Sequence, residues 1–282
     1  MKLRCRDLVL DLSNAAVMGV LNVTPDSFSD GGLWSDADAA IAHARDMVAQ
    51  GASIIDVGGE STRPGADAVS VSEELNRVLP VIKGLRSTID VPVSIDTRKP
   101  VVARRALEAG ASIINDTAGE VVDRAMDQVA AEMGAAIIVM HSRGTPGSMQ
   151  DQTDYADVVR DVIAFLGGRS KELQRMGVPS DAICLDPGIG FAKSTGQNLE
   201  LLRRLDELSA LGHPLLIGTS RKSFIGKILD VPVDERIEGT IATVVWAIAK
   251  GARVIRVHDV GPVVRAVRMT EAICSGSAGA GA

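Results

Sequence analysis

Short apolar runs alternate with amphipathic stretches along this chain, and the alternation repeats eight times. The runs occupy 17–23, 53–58, 91–96, 112–116, 136–140, 183–186, 214–219 and 253–258. They are rich in Val, Ile and Leu without strict alternation, the pattern of parallel strands buried on both faces. Helical periodicity fills the gaps, for example over 38–50, 101–109, 125–133 and 240–250. Gly51, Gly110, Gly134 and Gly251 each end such a stretch, and each is followed by Ala and then an apolar run. A glycine just past a helix is a helix stop, and the next strand enters at once. Pro100 falls where a first-turn proline is tolerated. Eight strand–helix units without a domain-sized linker predict a (β/α)8 TIM barrel, α/β in class, as a single domain over 1–275. The start, Met-Lys-Leu-Arg-Cys-Arg-Asp-Leu-Val-Leu-Asp-Leu-Ser, carries charges inside an apolar alternation and predicts a short N-terminal strand or hairpin rather than a signal peptide. The Gly/Ala/Ser end, 276–282, predicts a flexible tail.

In such barrels the chemistry gathers at the C-terminal ends of the strands. Strand one ends in Asn22, and strand two runs through Asp56 into Glu60, Ser61, Thr62, Arg63, Pro64 and Gly65. Later strands deliver Asp96, then Asn115 and Asp116, then Met140 and His141, then Asp186. The last two lead to Ser220, Arg221 and Lys222, and to Arg256 and His258. Asp, Asn and Ser at a strand end are also common helix caps, so none of them alone marks a site. Lys222, Arg256 and His258 are poor caps at a helix start, where positive charge is disfavoured.

Composition removes several function classes. The chain has 282 residues, 30 Lys+Arg against 36 Asp+Glu, and seven aromatics (two Trp, one Tyr, four Phe). An acidic, aromatic-poor protein lacks the basic stripe and stacking platforms of a nucleic-acid binder. Cys5, Cys184 and Cys274 are odd in number and far apart, which excludes a disulfide framework and any Cys-x-x-Cys motif. The histidines His43, His141, His213 and His258 have no zinc-site spacing. His43 and His213 are expected on the surface. No apolar run reaches the roughly 18 residues of a membrane span, so no membrane is expected and the cytoplasm is the default compartment.

The rim charges sort by chemistry. Asp96, Asn115 and Asp186 offer acceptors, and Asn115 can also donate. That set suits a flat heterocycle with several N–H donors, such as a 2-amino-4-oxo pyrimidine edge, and Lys222 could donate to ring acceptors. Arg63, Arg221, Arg256 and His258, with the Asn22 amide, form an anion-binding set, and loops after strands seven and eight often hold phosphate in these barrels. A heterocycle bearing phosphate or diphosphate is the ligand these groups call for. Gly188-Ile-Gly190 lacks the third glycine and following acid of a dinucleotide loop. A Schiff-base role for Lys222 finds no second group pointing to a carbonyl substrate. Met140 and Phe191 are core by type, yet their positions allow them to wall a flat ring.

The stretch Val20-Leu-Asn22-Val-Thr-Pro-Asp26-Ser-Phe28-Ser-Asp30-Gly-Gly resembles the first signature of the dihydropteroate synthases. Ile55-Asp56-Val-Gly-Gly-Glu60-Ser-Thr62-Arg63-Pro64-Gly65 resembles the second. Ser94-Ile-Asp96-Thr, Ile114-Asn115-Asp116, Met140-His141, Leu185-Asp186-Pro-Gly-Ile-Gly190-Phe191, Ser220-Arg-Lys222-Ser-Phe and Arg256-Val-His258-Asp259 follow in the family's order, so the resemblance spans nearly all of 1–275.

The resemblance implies a transferase of folate biosynthesis. It would condense 6-hydroxymethyl-7,8-dihydropterin diphosphate with 4-aminobenzoate to 7,8-dihydropteroate and diphosphate, with Mg²⁺, and be open to sulfonamide competition. Carried over residue by residue, Asp96, Asn115, Asp186 and Lys222 hold the pterin. Asn22, Arg63, Arg256 and His258 take the diphosphate, and Asn22 is also a Mg²⁺ ligand. Lys222, Arg256, His258 and Arg63 are the catalytic candidates. Thr62 contacts the pterin substrate or the incoming ring, and Phe28, Pro64, Phe191 and Ser220 shape the aminobenzoate slot with it. The sequence departs from the family after strand five, where Ser142 and Arg143 are expected to face the loop rather than the pterin. A related pterin-binding barrel, a methyltetrahydrofolate:corrinoid methyltransferase, has no diphosphate to hold, which Arg63, Arg256 and His258 argue against. A pterin-binding paralogue without turnover would have lost a rim residue, and none is lost.

Two further expectations concern assembly and motion. The 240–250 helix is apolar nearly all round, which predicts a second covered face and a homodimer. The segments 24–34 and 59–69 are long for strand-to-helix loops and polar in content, which predicts lids that order on ligand, with pterin diphosphate binding before 4-aminobenzoate.

Overall fold

The computed structural model describes residues 1–23, 33–61, 69–145 and 147–276. Side-chain surroundings are described for 33–61 only from Ala37 onward. The predicted lid segments therefore fall largely outside the described residues, as do Phe28, Thr62, Arg63, Pro64 and the 277–282 end of the predicted tail.

All eight predicted strands are present as β3 (Ala16–Asn22), β4 (Ile54–Gly58), β5 (Val93–Asp96), β6 (Ile113–Asp116), β7 (Ala136–Met140), β8 (Ile183–Asp186), β9 (Leu216–Ile217) and β10 (Val254–Val257). They run parallel in the order β8-β7-β6-β5-β4-β3-β10-β9, and a bridge between Leu185 and Leu215 joins the two ends of the sheet. β9 is shorter than its apolar run because Pro214 brings no N–H to a ladder; its carbonyl instead accepts from Leu185 N. The predicted N-terminal hairpin forms from β1 (Lys2–Cys5) and β2 (Leu8–Asp11), paired antiparallel.

The outer layer contains α1 (Leu33–Ala49), α2 (Val71–Arg86), α3 (Pro100–Ala109), α4 (Arg124–Met133), α5 (Val158–Arg175), α6 (Thr195–Arg203) and α7 (Leu205–Ser209). It is completed by α8 (Ser223–Leu229), α9 (Ile237–Ala249) and α10 (Val260–Ser275). Gly51, Gly110, Gly134 and Gly251 all have positive φ, as their role of ending a helix before a strand requires. One surface expectation fails: His213 is buried, and burial pushes its pKa below the ordinary value, partly opposed by the Ser180 backbone. The turn into β9 packs against the 180–182 turn, so a loop position by sequence is an interior position by topology.

Alternation along the strands divides each one between two environments. One set of side chains, including Val17, Leu21, Ile55, Val57, Ile95, Ile114, Ile137, Val139, Leu185 and Val257, packs outward against the helices. The other set fills the barrel. Its lower half is Met18, Ile54, Ile113, Ala136, Ile138, Cys184, Leu216 and Val254, and Leu3, Cys5 and Leu12 from the hairpin segment close it from below. With the bottom sealed by apolar side chains, the polar inward positions are confined to the upper end.

Truncating Leu3, which is fully buried in that plug, should cost about 2–5 kcal/mol in denaturant unfolding. KM for either substrate should stay at the wild-type value, because the plug and the rim lie at opposite ends of the barrel.

Candidate active site

The register sets the rim at one level. Asn22 pairs with Gly58, Gly58 with Asp96, and Asp96 with Asn115 on neighbouring strands. Across the barrel, Met140 is level with Asp186. Asp56 lies two residues before Gly58 on the same inward face. It is fully buried, and its Oδ2 accepts from Arg256 Nε at 2.7 Å and from Asn115 Nδ2 at 3.1 Å. Arg256 Nη2 donates to Asp96 Oδ2 at 2.8 Å, and Thr117 donates to Asp96 Oδ1 at 3.2 Å. Lys222 Nζ lies 3.9 Å from the centroid of the Phe191 ring, a cation–π contact.

These groups are not serving as helix caps. The side chains that cap α2, α4, α5 and α6 are Ser70, Asp123, Asp157 and Ser194, farther along each loop. Asp186 does take one local bond, from Gly188 N to Oδ1 at 2.7 Å, which orients the carboxylate and leaves Oδ2. Asp56 Oδ1 and Asn115 Oδ1 are buried acceptors without a hydrogen-bond partner. Buried acceptors are nearly always satisfied, and a flat ligand edge with several N–H donors would satisfy these.

Electrostatics follow from burial. Asp96 is raised to about 7 by desolvation, opposed by Arg256 and reinforced by Asp56. Asp186 is raised by desolvation against the Gly188 N–H, Lys222 and Lys193. Lys222 is lowered to about 8 by desolvation and by Arg256, with Asp186 and Asp96 pulling the other way. Burial works against the Arg256 charge, but Asp56 and Asp96 more than offset it, so its pKa lies above the ordinary value.

The structure joins Asp96 to Arg256 directly and Asn115 to Arg256 through Asp56, with Lys222 and Phe191 as a neighbouring pair whose charge is felt by Asp186 and Asp96. In one respect it differs from the sequence pattern. Arg256 does not stand apart with an anion-binding set; it is bonded to two carboxylates, and only the rest of its guanidinium is left for an anion. His258 and Ser220 form a pair. Ser220 Oγ accepts from the His258 backbone N at 3.2 Å and lies 3.0 Å from Nδ1. Which of the two atoms donates across that contact is set by the ring tautomer. Ser220 thus serves His258 as well as any slot.

Not every strand end faces the rim. Asp116 points outward, where its Oδ1 accepts from Ala118 N. His141 is fully buried beside Lys193, on the face opposite Met140. Arg143 turns away from the barrel, bonded to Glu120, Asp161 and the Asp154 carbonyl and stacked over Tyr155. Arg221 is tied to Asp259 at the exposed edge.

Sequence reasoning gave no role to three residues: it named Asp56 and Glu60 only in passing along the second strand's run, and it did not name Lys193. Asp56 was hidden by its distance from the strand end, although its parity with Gly58 marks it as inward. Lys193 lies outside any strand. Glu60 is the third: its Oε1 accepts from Val69 N at 3.0 Å, and Lys99 bonds its Oε2 at 2.8 Å as well as Glu74. That carboxylate ties Val69 to the end of β4. Burial opposes its charge, but Lys99 and the Val69 N–H hold its pKa below the ordinary value.

Comparison with known proteins supplies the class. Residues 18–258 match the family model described as pterin binding enzyme. The chain is 51% identical over 258 residues to a dihydropteroate synthase of Synechocystis, covering 91% of this chain and 89% of that protein. The crystal structure of dihydropteroate synthase from Clostridium difficile in the presence of pteroic acid superposes with a TM-score of 0.87 at 49% identity, covering 93% of this chain and 97% of that one. The Yersinia pestis dihydropteroate synthase in complex with a sulfonamide drug gives a TM-score of 0.91 at 44% identity, covering 98% and 100%. The fold and the rim are those of a pterin-binding barrel enzyme. The chain belongs to the dihydropteroate synthases, transferases of folate biosynthesis within that family.

The two perturbed groups give a pH signature. Asp96 accepts a ring N–H most strongly as a carboxylate, and Lys222 donates most strongly as an ammonium. Pterin-dependent kcat/KM should therefore climb as pH rises through about 7 and fall again beyond about 8. Lys222→Arg should carry the falling limb to higher pH. A flat profile for the wild type from about pH 6 to 9 would contradict the assignment.

Proposed function

We propose that this site joins 6-hydroxymethyl-7,8-dihydropterin diphosphate to 4-aminobenzoate, releasing diphosphate and forming 7,8-dihydropteroate. The observation that carries the proposal is the buried acceptor set of Asp56, Asp96, Asn115 and Asp186, closed by Arg256 and Lys222. Pteroic acid, present with the Clostridium difficile enzyme, is a pterin joined through a methylene to 4-aminobenzoate, the oxidised counterpart of this product.

In this reading Asp96, Asn115, Asp186 and Lys222 hold the pterin. Asn22, Arg63, Arg256 and His258 receive the diphosphate. Thr62, Phe28, Pro64, Phe191 and Ser220 shape the aminobenzoate slot. Mg²⁺ fits this donor set. Among the described residues no group of three or more His, Cys, Asp or Glu could hold a metal, and Mg²⁺ is commonly bound by one or two protein oxygens plus substrate phosphates rather than by a protein cage. Asn22, with its amide oxygen at the rim, is the residue that would hold it, and the ion would neutralise charge on the leaving diphosphate.

The chain's own residues account for the rest of the mechanism. Arg256 and His258 stabilise the charge that grows as the pterin methylene C–O bond breaks and its electron pair leaves with diphosphate. Asp96 and Asp186, accepting from ring N–H groups, stabilise the cation left on the dihydropterin. The arylamine nitrogen then forms the C–N bond and loses its proton to solvent. A cation this reactive needs no strong base beside the amine.

The remaining features complete the reading. Residues 1–275 form one catalytic domain in the cytoplasm. The enzyme is a homodimer: α9 buries Thr240, Val244, Ala247 and Ile248 but leaves Val245 and Trp246 exposed, with Met269 and Ile273 exposed on the adjacent α10. Twofold pairing is the commonest way to cover such a surface.

Diphosphate release with the two substrates tests the function, and activity with neither would defeat it. Lys222→Ala or Asp186→Ala should weaken pterin binding at least about 30-fold in calorimetric titration, with the fold intact by circular dichroism, since losing one partner of a desolvated charge pair costs about 2–5 kcal/mol. Light scattering at micromolar concentration should report twice the 29.5 kDa chain mass; a 29.5 kDa particle would exclude the dimer.

A further inference from the structure

Lys193 is a buried lysine that none of the steps above uses. Its side chain is 3% exposed. Its Nζ is surrounded by four acceptors: His141 Nδ1 at 3.0 Å, His141 O at 3.2 Å, Gly188 O at 3.1 Å and Phe191 O at 2.9 Å. Burial pulls the Lys193 pKa down to about 7, with Asp186 opposing; in its charged form Nζ only donates, and His141 then accepts at Nδ1. The His141 ring stays neutral, its pKa pushed down to about 2 by burial and then by Lys193 and Arg143.

The loop that this lysine gathers turns on positive-φ residues, of which only the non-glycine Ala192 is costly. Gly188, Gly190 and the non-glycine Ala192 all have positive φ, at 67°, 84° and 49°. A Cβ on Gly188 would collide with the His141 carbonyl oxygen, so the loop backbone is pressed directly against the end of β7. Residues held in sparsely populated backbone regions persist only where their surroundings over-determine them. Here Lys193 holds the carbonyls, and Asn198 holds Gly190 N at 2.6 Å and the Lys193 and Ser194 carbonyls from the other side. At the middle of the loop is Phe191, whose ring lies against Lys222.

We propose that Lys193 is a positioning residue for the transferase reaction. Its ammonium draws the carbonyls of His141, Gly188 and Phe191 together and so fixes the Phe191 ring between Lys222 and the incoming arylamine. The inference rests on Phe191 as a wall of the aminobenzoate slot. Asp186 depends on Lys193 less: its carboxylate accepts from Gly188 N of the same loop, but its backbone is held in β8 by strand register and by His141 N donating to its carbonyl at 2.9 Å. Loss of the ammonium therefore acts on the second substrate more than on the first.

The test separates these roles. Lys193→Met keeps the length and removes every donor. It should raise KM for 4-aminobenzoate at least about tenfold while the dissociation constant for pterin diphosphate changes less than about threefold, and Lys193→Arg should restore much of the loss. The protein has four Phe, so 4-fluorophenylalanine labelling gives a 19F spectrum in which Phe191→Leu assigns the Phe191 line. In Lys193→Met that line should shift or broaden while the Phe224 line stays. Equal KM values and an unmoved Phe191 line would overturn the proposal. A moved line with unchanged KM in both Lys193→Met and Phe191→Leu would instead remove Phe191 from the slot and leave the loop-holding role standing. Should Lys193→Met not fold, Lys193→Gln, which keeps one amide donor group, is read by the same two measurements.

Discussion

The site depends on burying three carboxylates, Asp56, Asp96 and Asp186, in the upper end of a closed barrel. Taking a carboxylate out of water costs several kcal/mol unless charge and hydrogen bonds replace the solvent. Arg256 supplies most of that replacement, bonding Asp56 and Asp96 at once. Even so, Asp96 and Asp186 are raised in pKa, so the compensation is incomplete. The unbound site is therefore a region of unmet electrostatic demand, and a ligand edge with N–H donors relieves it. Stability given up in the free protein returns as binding selectivity for a hydrogen-bond-donating heterocycle.

The same constraint explains why Arg256 joins the two ends of the site. A guanidinium has more donors than two carboxylates need. Directed inward it neutralises Asp56 and Asp96, and it keeps N–H groups beyond those two bonds. In the proposed reaction those groups would couple substrate binding to leaving-group stabilisation through one planar group, which a lysine could not span in the same way.

Around this core the loops are tied by buried polar anchors. Glu60, Lys99 and Glu74 join the end of β4 to Val69 and α2. Lys193 and Asn198 brace the turn that follows β8. Both anchors stand behind the reacting groups, where a shift of a fraction of an ångström would be transmitted to the rim. A barrel rim assembled from separate loops needs such anchors because each loop is individually short of apolar contacts.

The sequence by itself determined the eight-strand parallel barrel, its N-terminal hairpin, the helix-ending glycines and the identity of most rim residues. These are consequences of local periodicity and of strand ends, which are written along the chain. It also carried the family signatures. It could not show which polar residue pairs with which, because Arg256 lies 200 residues from Asp56 and 160 from Asp96. It placed His213 on the surface, where only packing against the 180–182 turn reveals burial. It gave Asp56 no role, because its partners Asn115 and Arg256 come from β6 and β10 rather than from its own stretch of chain. Nor did it reveal Lys193, since a lysine in a loop reads as solvated until the backbone carbonyls of β7 and the β8 turn are seen to enclose it. Tertiary structure decided those points because the energy of a buried charge depends on what surrounds it, and its surroundings come from distant parts of the chain.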